Sequence, residues 1–406
     1  MPVARPLRAY AAVTAAYWAF MLTDGALRML VLLQFNALGF SPVQLAWLFL
    51  LYEIAGIVTN LYAGFLAARF GLAATLYAGL GLQIAALLAL TQLDPGWSVA
   101  ASVVFVMAVQ GVSGVAKDLA KMSSKSAVKL LAPEAGLFRW VAALTGSKNA
   151  VKGAGFFLGA ALLALLGFAV SLWVMAVVLG LILLAVALFL PPGLPARDKS
   201  ARFAGWRSSD PRVNRLSLAR MFLFGARDVW FVVGIPVYFH AVLSDGTDEG
   251  RRTAFFIVGG FMAIWIIGYG AVQALAPRLL RGGDTATKAI RWAGFLVPIP
   301  LALALAAWLS GGPQDWLTVT LIAGLLLFGF VFAVNSSVHS YLILAFGQAD
   351  RITRDVGFYY MSNAAGRLLG TLLSGVSYQL GGVALCLAVA GAMAALAWLA
   401  TLRLRS

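Results

Sequence analysis

An apolar stretch of about 20 or more residues, the length a helix needs to cross roughly 30 Å of hydrocarbon, recurs twelve times along the chain. The expected spans are 9–36, 42–68, 72–92, 98–122, 137–166, 169–190, 214–242, 253–279, 286–309, 315–342, 352–379 and 382–402. Backbone that crosses lipid must satisfy its own hydrogen bonds, and stretches this long and this apolar do so as helices. The expected fold class is therefore all-α and integral to the membrane, with the lipid bilayer as the first partner. Among 406 residues, 62% are hydrophobic and 11% charged, a composition foreign to a pair of soluble domains. The formal charge of +15 raises nucleic acid as a partner, but the basic residues are scattered through short loops instead of forming one stripe or tail. A single cysteine, Cys386, rules out an intramolecular disulfide and argues against thiol-held metal. Arg5 and Arg8 ahead of an apolar run resemble a signal peptide, yet the run carries Asp24 and Arg28 and continues past Leu33, as an uncleaved first span does.

The longest polar interruption, 191–214, carries Arg197, Lys199, Arg202, Arg207 and Arg212. It divides the chain into a first six-span half, 1–190, a cytoplasmic linker, 191–213, and a second six-span half, 214–406. Lysine and arginine collect on alternate loops: Arg69, Lys125 and Lys129, the linker, Arg278, Arg281 and Lys288, Arg351, then Arg403 and Arg405. Positive charge marks the cytoplasmic side, so both termini are expected there. The two halves also repeat weakly. One offset brings Asp24 onto Asp228; slightly larger ones bring Lys121 onto His339 and, three residues apart from that, Arg139 onto Arg354, Lys152 onto Arg367 and Gly155 onto Gly370. Two parallel six-helix halves resemble the major facilitator fold, in which substrate binds between them. The loop Gly64 to Gly71 resembles that superfamily's G-x-L-a-D-r-x-G motif, with Ala68 in place of the aspartate.

A charge at the bilayer centre is unfavourable by about 2.5–3.5 kcal/mol on insertion scales, so each one needs a partner or a wet cavity. The first span holds Asp24 and Arg28, four apart on one face; the second holds Glu53, with Asn60 further along the same face. The fourth ends in Lys117, Asp118, Lys121, Lys125 and Lys129, and the fifth has Arg139, Lys148 and Lys152. Arg227 and Asp228 stand in the seventh span, and Arg354, Asp355 and Arg367 in the eleventh. Counted at 1.5 Å per residue, Lys148 and Lys152 bracket the midplane at about 16 and 22 Å, with Arg367 at similar depth. Lys117 and Lys121 fall nearer the cytoplasmic mouth.

The expected substrate contacts are Lys117, Lys121, Lys148, Lys152, Arg367, Arg28 and Arg227, with Asn60, Asn335 and Tyr359 as neutral partners. Asp24, Glu53, Asp118, Asp228, Arg139, Arg354 and Asp355 are expected to serve gating or proton coupling. Some of these charges are open to a second reading, as locks between halves or, for Asp24 with Arg28, as a pair within one helix. The excess of cations over carboxylates points to an anionic substrate that brings the missing charge. His240 and His339 lack metal-ligand spacing and read as structural, and no cofactor or metal is expected. No phosphate-binding glycine loop precedes a lysine and serine, and no nucleophile stands with a base, so neither a nucleotide-driven pump nor an enzyme is expected.

The segments 17–35, 51–72, 116–130 and 137–153 resemble the ArsJ organoarsenical efflux permeases, a branch of the major facilitator superfamily. The resemblance runs through most of the chain and is densest in its first half. It implies export of 1-arseno-3-phosphoglycerate across the bacterial inner membrane, in functional partnership with glyceraldehyde-3-phosphate dehydrogenase, which makes the compound from arsenate. It implies a monomeric carrier working by alternating access. The two anionic ends of that substrate call for two cationic clusters, Lys117 with Lys121 and Lys148 with Lys152 and Arg367. Proton exchange, exchange against external phosphate and flow down the substrate's own gradient remain open as the driving force. An organophosphate and phosphate exchanger is the alternative within the class, and an anion sensor the one outside it.

Overall fold

The computed structural model describes residues 4–131, 137–190, 208–279, 284–346 and 352–404, with side chains at 4–10, 63–64, 67–68, 125–131, 137–146, 277–279 and 352–354 excepted. All regular structure among these residues is helical. The first half supplies α1 (Ala4–Ala37), α2 (Pro42–Leu48), α3 (Leu50–Phe70), α4 (Leu72–Leu90), α5 (Val99–Leu131), α6 (Leu137–Leu166) and α7 (Phe168–Phe189). The second supplies α8 (Pro211–Val229), a π-helical turn (Trp230–Gly234), α9 (Ile235–Leu243), α10 (Asp248–Leu279), α11 (Thr285–Leu296), α12 (Pro298–Leu309), α13 (Asp315–Phe346) and α14 (Ile352–Leu402).

Local sequence explains the breaks. Ser41 caps α2 through a reciprocal bond with Gln44, and Pro42 takes the first helical position, where its missing N–H matters least. Gly71 and Gly167, at φ 81° and 74°, turn the chain between α3 and α4 and between α6 and α7 in one residue, a conformation that side chains with a Cβ resist. Pro236 has no N–H to return to the Val232 carbonyl, and the helix widens into a π turn just before it. The amides freed there are not orphaned, since Val233 and Gly234 both donate to the Ser374 hydroxyl at 3.1 Å.

Eleven helical stretches among the described residues are long and apolar enough to cross a membrane, where twelve were expected. The difference lies in α14, which leaves helical geometry at Gly381 and Gly382. Gly366, before that kink, and Met393, after it, both lie against Gly225. In a straight helix they would stand about 40 Å apart. The chain therefore folds back on itself at the two glycines, and α14 holds both of the last two expected spans.

Small residues set how closely the helices cross. Gly155 packs on the backbone of Leu22 and Gly25, and Gly159 on that of Ala26, which joins α6 to α1. In the second half Gly370 packs on Gly225 and Asp228, and Gly366 on Met221, which joins α14 to α8 in the same manner. The two halves meet along α6 and α10, where Gly153 lies against Ala263 and Gly259 against Ala160, and along α2 and α14, where Gly375 lies against Pro42 and Val43. At the end of the bundle remote from Arg403, Asn36 Nδ2 donates to His240 Nδ1 at 2.9 Å and the Val43 amide donates to Gln379 at 3.3 Å. Lipid-facing apolar side chains such as Leu181, Leu188 and Phe189 on α7 cover the outside.

Candidate functional site

Between the halves lies a cavity of about 220 Å³ lined from α1, α3, α5, α6, α8, the π-helical turn, α10, α13 and α14. Among the described residues, eight basic side chains line it: Arg28, Lys117, Lys121, Lys148, Lys152, Arg220, Arg227 and Arg367. Three carboxylates, Glu53, Asp118 and Asp228, face them.

The charges form linked networks. On the first-half wall, Lys152 Nζ sits 2.6 Å from Asp24 Oδ2, and the Tyr52 hydroxyl donates to Asp24 Oδ1 at 2.6 Å. Lys117 Nζ lies 4.0 Å over the Tyr52 ring, and Lys121 Nζ donates to Asp118 at 2.9 Å and to Asn60 Oδ1 at 2.5 Å. Thr59 donates to the other Asp118 oxygen at 2.5 Å. Across the middle, Glu53 Oε1 accepts from Arg28 at 3.1 Å and from Arg367 at 2.6 Å, so one fully buried carboxylate of the first half is shared with an arginine of the second. Arg367 Nε is 3.5 Å from Asp228, which also pairs with Arg227 at 2.5 Å. Buried this deeply, such pairs hold because every member has a partner.

The sequence repeat reappears as geometry. Lys152 with Asp24 in the first half corresponds to Arg367 with Asp228 in the second, and in each case the glycine three residues after the cation, Gly155 or Gly370, makes the close crossing. The glycine lets the helices approach until the basic side chain reaches the aspartate one turn away.

Several expected residues lie elsewhere than their spacing suggested. Asp24 and Arg28 do not pair with each other; they reach Lys152 and Glu53 on neighbouring helices. Lys117 and Lys121 do not form a mouth separate from the midplane set, since Tyr52 and Asp24 join Lys117 to Lys152. Helical side chains lean toward their own N-terminus, and on α5 that direction leads back to the middle of the bundle. Asn335 and Tyr359 are buried away from the cavity, whereas Tyr360, one residue or about 100° onward, lines it. Asp355 is buried near the start of α14 and is not among the lining residues. The side chains of Arg139 and Arg354 lie outside the described residues, as does the linker up to residue 207.

The sequence reading missed Arg220. Its Nε donates to Asn363 Oδ1 at 2.9 Å and its Nη1 to the Ser336 carbonyl and hydroxyl at 3.1 and 2.9 Å. Phe224 and Tyr359 flank the guanidinium at 4.1 and 5.1 Å. A signal existed, because Arg220 precedes Arg227 by seven residues and therefore shares its helix face. Asn149, Tyr269, Gln273 and Asn363 also line the cavity unannounced. Asn149 donates to Gln273 at 3.0 Å, a neutral polar bridge between the halves within the cavity.

A helical bundle that buries a charged cavity between two glycine-packed halves is the build of a multi-pass membrane transporter. The chain belongs to the Major Facilitator Superfamily, whose family model matches residues 13–346. Among solved structures it is similar to a bacterial homologue of the iron transporter ferroportin in an inward-facing state, at 15% identity and a TM-score of 0.70, covering 98% of this chain and 99% of that one. A bacterial metal transporter is similar at 14% identity and a TM-score of 0.67, covering 98% and 99%. At these identities the similarity shows the fold alone. Comparison with curated protein sequences gave no match.

Proposed function

We propose that the chain exports 1-arseno-3-phosphoglycerate from the bacterial cytoplasm by alternating access and so confers arsenate resistance together with glyceraldehyde-3-phosphate dehydrogenase. The observation that carries the reading is the ratio of charges among the described residues of the cavity, eight basic side chains against three lining carboxylates and Asp24 behind Lys152. A small molecule with oxyanions at both ends supplies the negative charge the protein withholds. A metal cation, the cargo named for the two structural neighbours, would instead meet an excess of like charge at this site. The helices before residue 191 and after 213 act as the two rocking units. Glu53 occupies Arg28 and Arg367 when no substrate is bound, and an entering anion competes for the same guanidinium groups. The halves then exchange one bridge for another, and the differential contacts shift the population between the two open states.

The test is selective protection. Expression in an arsenate-sensitive bacterium is expected to raise tolerance of arsenate and to leave tolerance of arsenite, a neutral species at pH 7, unchanged. Equal protection against arsenite, or none against arsenate in cells that insert the protein, would overturn the proposal.

A further inference from the structure

Seven of the eight basic side chains in the cavity belong to the lysine-rich wall or to the carboxylate-bridged centre; Arg220 belongs to neither. It is 5% exposed, yet all its hydrogen bonds go to neutral groups, the Asn363 amide oxygen and the Ser336 carbonyl and hydroxyl. No carboxylate pairs with it among the described residues, whereas Arg28, Arg227, Arg367, Lys121 and Lys152 each have one within about 3 Å. A buried cation with neutral neighbours is strongly unfavourable unless something else neutralises it.

The hydrogen-bond count around Ser336 shows where that partner would sit. The Ser336 hydroxyl receives Arg220 Nη1 at 2.9 Å and Gln273 Nε2 at 3.3 Å, which fills both of its lone pairs. Its own hydrogen is then left for the Tyr269 hydroxyl oxygen, 3.2 Å away. Tyr269 in turn keeps its phenolic hydrogen for another acceptor, and it lines the same cavity. Arg220 Nη2 likewise makes no hydrogen bond among the described residues. Two unspent donors, one of them charged, therefore border the cavity on the wall opposite the lysines.

We propose that Arg220 and Tyr269 form a second oxyanion subsite that takes one end of a two-ended small organic anion while the cations of the first half take the other. The subsite rests on the anion-carrier reading above and adds its specificity: one-ended anions leave Arg220 without a partner and bind less well. Asn149, hydrogen-bonded to Gln273, ties the subsite to the first half, so filling it is felt on both sides of the cavity.

Purified protein titrated with propane-1,3-diphosphonate and with propylphosphonate tests this, since both are stable and differ only in the second anionic end. The wild-type chain is expected to prefer the diphosphonate by roughly 10- to 100-fold, the worth of one charge-assisted hydrogen-bonded anchor. Arg220→Gln should reduce its affinity to that of propylphosphonate and leave propylphosphonate unchanged. Arg220→Lys should keep part of the preference, and Tyr269→Phe should lose a smaller part. An unchanged preference in Arg220→Gln, or an equal loss for both ligands, would make Arg220 a packing residue and overturn the proposal. If neither phosphonate binds the wild-type chain, the organophosphate reading of the cavity fails instead. Pyrophosphate compared with inorganic phosphate then decides the subsite, with a preference for pyrophosphate that is lost in Arg220→Gln upholding it and a preference that survives, or none in the wild-type chain, removing it.

Discussion

Arg367→Ala is expected to be among the least stable single substitutions in this chain and to abolish transport. Its guanidinium bonds Glu53 at 2.6 Å and lies 3.5 Å from Asp228, so truncation removes a shared partner from two buried carboxylates. Removing one member of a buried pair while the other stays charged is unfavourable by about 3–5 kcal/mol. Glu53 keeps Arg28 and Asp228 keeps Arg227, which places the expected loss toward the lower end. Thermal unfolding in detergent should show a clear drop in Tm. Arg367→Lys should recover part of it, and so should Arg367→Gln combined with Glu53→Gln, because two amides can bond where an isolated carboxylate cannot. Transport should stay absent in the double variant, since neither amide offers charge to an anion. A double variant that folds and transports at the wild-type rate would show that the central bridge is scaffolding only.

Gly159→Val should prevent assembly altogether. A Cβ at Gly159 would stand within 2.7 Å of both the carbonyl carbon and the Cα of Ala26, and nearer still to its oxygen. All three are backbone atoms of a helix with 0% exposure at that residue, so no side-chain rotation relieves the contact. The two helices must separate, and the neighbouring crossing that brings Lys152 to Asp24 separates with them. The expected loss exceeds the ~1–3 kcal/mol usual for overpacking, because rigid backbone on both sides blocks the relaxation that keeps such losses small. Gly180→Val, at a glycine with open space around it, is the control and should leave the monodisperse fraction in size-exclusion chromatography unaltered. Equal behaviour of the two variants would refute the packing account.

The sequence made the membrane class and most of the charged cavity residues legible for one physical reason. Against a background that is 62% hydrophobic, every charge within a span is conspicuous because lipid tolerates so few. It did not make the pairing legible. Asp24 and Arg28 share a helix face, which favours reading them as partners, but their actual partners, Lys152 and Glu53, depend on how α1 is rotated against α6 and α3. The glycines that set those rotations read only as permission for close packing. The same limit explains Tyr359 and Tyr360, where a single residue of helical phase separates a buried ring from a lining one. Span counting put the boundary between the last two spans at residues 380–381, and the helix reverses at Gly381 and Gly382 although almost no polar residues mark the turn. Arg220 has no carboxylate beside it in sequence as Arg227 has Asp228, and only its seven-residue spacing from Arg227 marks it.

Export of a two-ended organic anion through the cationic cavity, as proposed above, can be followed by its arsenic. Everted membrane vesicles supplied with glyceraldehyde-3-phosphate dehydrogenase, its substrate and cofactor, and arsenate test it most directly, because the arsenylated product forms in place at the face from which it would be exported. Arsenic should accumulate inside only when all the ingredients are present, and should fail to do so in vesicles bearing the folded Arg367→Gln, Glu53→Gln double variant or a folded Lys152→Gln protein. Accumulation of free arsenate at the same rate without the dehydrogenase, or uptake that survives in both of these proteins, would contradict the account.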